Sequence, residues 1–200
     1  PLRRNRDGAH GTSENGKESQ MSGSIIVSPL ERIGEMTARH GCRQMISLMA
    51  AGHDFARPGM IDRHLVLRMN DIAFAGAGDL VAPERAHVDQ IIDFARQWAG
   101  DGPLLVHCWL GVSRSPAAAM IAALAIAPDI DEDALAKALR AASPSATPNR
   151  RLAALGDEAL QRGGRLTAAV KDIGRGRECR LNAPFRLDLD DLAIAPLRHR

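Results

Sequence analysis

The 200-residue chain contains no tyrosine, and aromatic residues make up only 3% of it. A deep pocket walled by aromatic rings is hard to build from that composition. Cysteine is scarce too: Cys42, Cys108 and Cys179 are odd in number and include no Cys-x-x-Cys pair. This excludes the disulfide framework of small secreted domains and the paired thiols of a zinc knuckle, and a cytoplasmic protein is the simplest reading. An excess of one charge is also missing. With 26 Lys and Arg against 24 Asp and Glu the net charge is +2, so nothing in the balance demands nucleic acid as a partner. The arginines gather towards the two ends, in "PLRRNR", "GRGRECR" and "PLRHR", as solvated termini commonly do. No apolar run is long enough to cross a bilayer, and the polar opening residues lack the apolar middle of a secretory signal.

What is present suits one domain with a real core, since hydrophobic residues make up 45% and charged residues 25% of the chain. Residues 1–22 read as a flexible lead-in, 23–174 as the folded domain and 175–200 as a C-terminal tail without a clear element. Short β-branched or apolar runs predict strands over 24–30, 43–50, 64–71 and 103–108. Between and after them, helical spacing or composition predicts helices over 31–41, 83–99, 115–127, 131–142, 148–162 and 165–174, with Pro83 in a first turn. Alternating strands and helices imply an α/β fold, a short and mainly parallel central sheet flanked by helices. In such folds ligands bind beyond the carboxyl ends of the strands. Cys108 and Asp71 both fall at such ends, whereas Cys42 falls at the opposite end of its own strand.

The stretch "LLVHCWLGVSRSPAAAM" carries the chemistry. An apolar strand ends at His107 and Cys108, crosses a loop with one glycine, Gly111, and reaches Arg114, Ser115 and Pro116 at the start of a helix. Gly111 permits unusual backbone angles, and the small residues beside it let successive N–H groups turn inward. The helix N-terminus adds unpaired N–H groups and a positive dipole end, which together suit an anion. Arg114 adds a planar fork that can hold two oxygens of one phosphate. The same dipoles stabilise a thiolate at Cys108, aimed at the phosphorus of a bound phosphate. Of the three cysteines, Cys108 alone has an arginine six positions on.

"HCWLGVSRS" resembles the His-Cys, five residues, Arg-Ser/Thr signature of the protein tyrosine phosphatase superfamily, and the length is similar to its compact dual-specificity branch. A softer likeness is "SPSATPN", which resembles the Pro-x-x-x-Pro-Asn segment of that branch. The resemblance spans about residues 24–165. It implies a phosphatase that hydrolyses phosphomonoesters through a phosphocysteine intermediate, with neither metal nor other cofactor. Cys108 is then the nucleophile, and Trp109, Leu110, Gly111, Val112, Ser113 and Arg114 bind the phosphate. Ser115 supports the sulfur as it leaves, His107 orders the loop, and Asn149 starts a helix and braces the site.

The resemblance also requires a carboxyl group that gives a proton to the leaving oxygen and later takes one from water. Asp71, in "RMNDIAF", is preferred because it shares the rim with Cys108; Asp79, in "GAGDLVAP", is the alternative. Partners are expected to be phosphorylated proteins, carrying phosphotyrosine with or without phosphoserine or phosphothreonine, or small phosphomonoesters. The loop interior "WLGVS" has no basic residue of the kind phosphoinositide-cleaving relatives place there, which disfavours a highly charged inositol substrate. Trp109 and Phe74 are candidates to flank a substrate ring. Two other readings compete: a rhodanese-like sulfur transferase and a phospho-binding module that has lost its chemistry. The sequence leaves the oligomeric state open.

Overall fold

The computed structural model describes residues 23–193, so the lead-in expected over 1–22 and the last seven residues of the expected tail lie outside the described residues. Each of the four apolar runs forms a strand: β1 (Ser24–Pro29), β2 (Gln44–Met49), β3 (Arg63–Arg68) and β4 (Leu104–Cys108). Every residue of β1, β2 and β4 is buried, as expected of strands covered on both faces. β3 lies at an edge and is only partly covered. These four run parallel in the order β3-β2-β4-β1, with Leu104 level with both Ile25 and Gln44.

A fifth strand, β5 (Phe185–Asp188), lies antiparallel along the other side of β1, with Val27 opposite Phe185. The sheet is therefore mixed at that edge. β5 comes from the stretch read as a tail, and a short helix, α7 (Leu189–Ala193), follows it directly. Residues 175–193 are thus built into the domain. Phe185 and Leu187 face the core while Arg186 faces out, an alternation four residues long that is easily overlooked.

A single 3-10 turn at Leu30–Arg32 leads into α1 (Ile33–His40), which stops at Gly41 in the left-handed conformation. The later helices are α2 (Arg85–Arg96), α3 (Arg114–Ile126), α4 (Glu132–Ala142), α5 (Arg150–Ala159) and α6 (Arg165–Ile173). The placement of Pro83 in a first turn is corrected. Glu84 caps α2 instead, because its side chain and that of His87 satisfy each other's backbone amides in a capping box.

Strand alternation divides the core. Leu104, Val106 and Cys108 of β4 pack in the larger layer with residues of α2 through α6, and Leu105 packs in the smaller one with Ile33 and Met36 of α1. α3 is buried from Arg114 through Ala125, and its alanines let it lie close to the sheet. Gly156 lets α5 lie close against α3, since a Cβ there would sit 2.5 Å from Ile121 Cγ1. The most deeply buried strand and the most deeply buried helix therefore meet at one short loop, 109–113.

Candidate active site

All five carbonyls of loop 109–113 are held from outside the loop. The Leu30 amide donates to Trp109 O at 3.2 Å and the Asn182 amide to Leu110 O at 3.1 Å. The Asn182 side-chain amide donates to Gly111 O at 2.8 Å. The Thr147 amide donates to Val112 O at 2.7 Å, and the Asn149 amide to Ser113 O at 3.1 Å. In a trans peptide the N–H points opposite the preceding C=O, so carbonyls drawn outward turn the amides of residues 110–114 inward. The result is a concave cluster of N–H groups, an anion nest. Gly111 is required twice over: its φ is +70°, and a Cβ would lie 2.9 Å from Pro29 N.

Ser113 is the N-cap of α3, yet its side chain does not cap the helix. Its hydroxyl donates to Asp71 Oδ1 at 2.7 Å instead, which leaves the first amides of α3 for an anion. α3 begins at Arg114, one residue before the expected start. The Arg114 side chain turns inward, with the residue only 7% exposed, and its Nη1 donates to Met69 O at 2.8 Å. Its Nε is buried and has no acceptor among the described residues. Such a donor costs about 1–3 kcal/mol unless an acceptor meets it, so this end of the guanidinium suits an oxyanion.

Cys108 is buried at the base of the nest, its Sγ 3.1 Å from the Ser115 hydroxyl. His107 points to the other face of the sheet, where its Nε2 lies 2.6 Å from Ser47 Oγ and its ring meets the edge of Phe55 at 5.0 Å. Burial, above all, pushes the His107 imidazole down to about 4, so it is neutral at neutral pH. Cys42 packs in the smaller core, where burial pushes its thiol up to about 11.

Beyond β3, Asp71 reaches the rim of the nest. Its Oδ1 accepts from Ser113 and also from Asn149 Nδ2 at 2.8 Å. Asn149 is the N-cap of α5, its Oδ1 accepting from the Leu152 amide at 3.0 Å while Nδ2 also donates to Ile72 O at 3.2 Å. One asparagine thus ties together the 109–113 loop, the Asp71 segment and a helix start. Asp79 sits in an exposed turn farther along, and among the described residues no hydrogen bond joins it to the nest. The neck of the 71–80 loop is closed by Asn70, whose amide donates to Val81 O at 2.7 Å and whose Oδ1 accepts from Val81 N at 2.8 Å.

Trp109 is 48% exposed beside the nest, edge-on to His53, and Phe74 is 57% exposed on the 71–80 loop. A cavity of about 640 Å³ opens next to the nest, bordered by Asp71, Val112, Ser113 and Asn149 on one side and by Arg150, Arg175 and Arg177 on the other. Sequence reasoning missed Asn182, Thr147, the Met69 carbonyl and the arginines of the 175–177 stretch. No local signal marks Asn182, because its side-chain acceptor lies 71 residues away.

Among the described residues no helix is long and apolar enough to cross a membrane. No family model matches the chain, and no curated protein matches it in sequence. Solved structures do match. Human DUSP28 aligns with a TM-score of 0.53 and 22% identity, over 70% of this chain and 94% of its own. DUSP15 aligns with a TM-score of 0.53 and 18% identity, over 73% of this chain and 89% of its own. At such identities the likeness is one of architecture: a five-stranded mixed sheet flanked by helices, the fold of the compact dual specificity phosphatases.

Proposed function

We propose that the protein is a cysteine-dependent phosphatase acting on phosphomonoesters. The observation that carries the reading is the nest itself, five outward carbonyls and one inward arginine around the only cysteine placed beneath them. The Cys108 thiolate attacks phosphorus and forms an S–P bond while the ester P–O bond breaks. Asp71 gives its proton to the departing oxygen. The nest amides and Arg114 meet the charge spread over the equatorial oxygens, where fixed donors are most effective. Water then attacks the phosphocysteine, Asp71 takes a proton from it, the S–P bond breaks, and phosphate leaves. The Ser115 hydroxyl hydrogen-bonds the sulfur as it regains its charge.

Phosphotyrosine on proteins is the favoured substrate, with phosphoserine and phosphothreonine admitted by an open rim on which Trp109 and Phe74 stand exposed. No cofactor takes part in this scheme. Free cysteines suit the reducing cytoplasm. The test is Cys108→Ser on an aryl phosphate: turnover vanishes while the circular dichroism spectrum and the binding of a phosphate-like oxyanion persist. Undiminished turnover in that variant would remove the proposal.

A further inference from the structure

We infer that Ser47 and His64 are positioning residues for the nucleophile: through a hydrogen-bond chain they decide which nitrogen of His107 carries its hydrogen, and so how Cys108 is held. The inference rests on the phosphatase reading and adds to it two residues on the far face of the sheet from the nest.

The chain crosses three strands, from His64 of β3 through Ser47 of β2 to His107 of β4. Met45 and Leu105 belong to the smaller core layer, and strand alternation puts Ser47 and His107 on that same face. Ser47 Oγ lies 2.7 Å from His64 Nε2 and 2.6 Å from His107 Nε2. Ser47 and His107 are completely buried, whereas His64 is half-buried. Phe55, from the 50–62 connection, meets both rings edge-on, 5.9 Å from His64 and 5.0 Å from His107.

Counting hydrogens leaves two arrangements. Burial first, and then the charge of Arg57, holds the His64 imidazole below its ordinary value, so at neutral pH both rings are neutral. Each ring then brings one hydrogen, and so does the Ser47 hydroxyl. Among the described residues that hydroxyl has no acceptor besides the two rings, so one ring donates to it and the other accepts from it. Either His64 donates to Ser47, Ser47 donates to His107 Nε2, and His107 keeps its hydrogen on Nδ1; or every bond is reversed and Nδ1 is bare.

The buried end makes the choice. Water can serve the other nitrogen of half-exposed His64 in both arrangements. His107 Nδ1 is buried and has no hydrogen-bond partner among the described residues. Burial above all, with the charges of His64 and Arg114, opposes a cationic ring there, and the Cys108 backbone alone favours an added hydrogen. A backbone does so through its carbonyl, which attracts an N–H and repels a bare nitrogen. The hydrogen therefore belongs on Nδ1. Which imidazole nitrogen is protonated is set by the bond that the other one makes, and here that bond comes from Ser47, directed in turn by His64. An Nδ1–H turns the positive end of the ring towards residue 108 and favours a thiolate, whereas a bare Nδ1 opposes it.

Two measurements test this without turnover. Ring-nitrogen NMR of the unaltered protein should place the His107 hydrogen on Nδ1. His64→Gln keeps a donor for Ser47 and leaves that hydrogen in place; His64→Glu offers only an acceptor and moves it to Nε2. The second measurement is the pH midpoint of Cys108 alkylation, read peptide by peptide so that exposed Cys179 is counted apart. It should rise by about one pH unit in His64→Glu and in Ser47→Ala, and stay in place in His64→Gln and in Ser47→Thr, which keeps the hydroxyl. Arg57, Arg114, Ser115 and Asp71, the other polar groups around the chain and the sulfur, are the same in all four variants. A His107 hydrogen on Nε2 in the unaltered protein, or a midpoint that moves as far in His64→Gln as in His64→Glu, would overturn the chain. Position 64 is half-exposed, so its variants give the answer even where Ser47→Ala fails to fold. A protein that turns over no aryl phosphate would remove the phosphatase reading, and the ring measurement would still decide this one.

Discussion

The loop at 109–113 has every carbonyl held by a donor from another part of the chain, whereas the loop at 71–80 is exposed at every residue except half-buried Ile72 and, beyond the closure at its neck, is tied to other segments at Asp71 and Ile72. The two meet where Ser113 and Asn149 hold Asp71. A loop that stabilises charge works best when its dipoles are already aimed, since nothing then has to reorganise during reaction. The proton transfer proposed for Asp71 requires its carboxyl to leave these partners for the leaving oxygen, and the two hydrogen bonds on Asp71 are few enough to break. Changes in the first loop's frame should therefore cost stability and rate together, and changes in the second should cost rate alone.

Among changes that test this contrast between the two loops, the largest effect expected is at Asp71. Asp71→Ala should lower kcat on an aryl phosphate by about 10²–10⁴-fold and steepen its dependence on the leaving group, with little change in Tm. Asp79→Ala should leave both nearly as they were; the reverse pattern would assign the acid to Asp79 and break the contrast drawn at Ser113. Next in size is the pH dependence of the frame beneath the rigid loop. His107 sits at about 4 when folded against an ordinary 6.5, so the unfolded chain takes up a proton first as pH falls. Its contribution is complete above about 6.5 and is lost as the pH falls towards 4, amounting to at most about 3 kcal/mol. Denaturant titrations across that range should show this slope, and His107→Asn should flatten it. The smallest is Asn182→Ala, which strips Gly111 O of its partner and should lower stability by about 1–3 kcal/mol together with kcat. An unchanged kcat there would mean that the loop holds its shape without this brace.

The nest was legible in the sequence because its signals are local: an apolar strand, one glycine, an arginine and a proline within a few residues of one another. The placement of Asp71 was half legible, since the strand end before it shows its rim position but not the Ser113 and Asn149 bonds that hold it. Asn182 and β5 were not legible. Their partners, Gly111 and β1, lie far off in sequence, and four alternating residues carry too little pattern to announce a strand. Pro83 misled for a local reason, the competition of a Glu84–His87 capping box one residue on.

The brace from Asn182 to Gly111 O spans 71 residues, and this has a consequence for the newborn protein. At roughly 5–20 residues per second, a ribosome that has just added Gly111 needs about 4–14 s more to reach Asn182. Once Asn149 has been added, the sulfur, the guanidinium and the glycine all exist as covalent chain, but the two ties from Asn182 still do not. Full competence is thus deferred until after β4 and α3 have been synthesised, a timing written into topology alone.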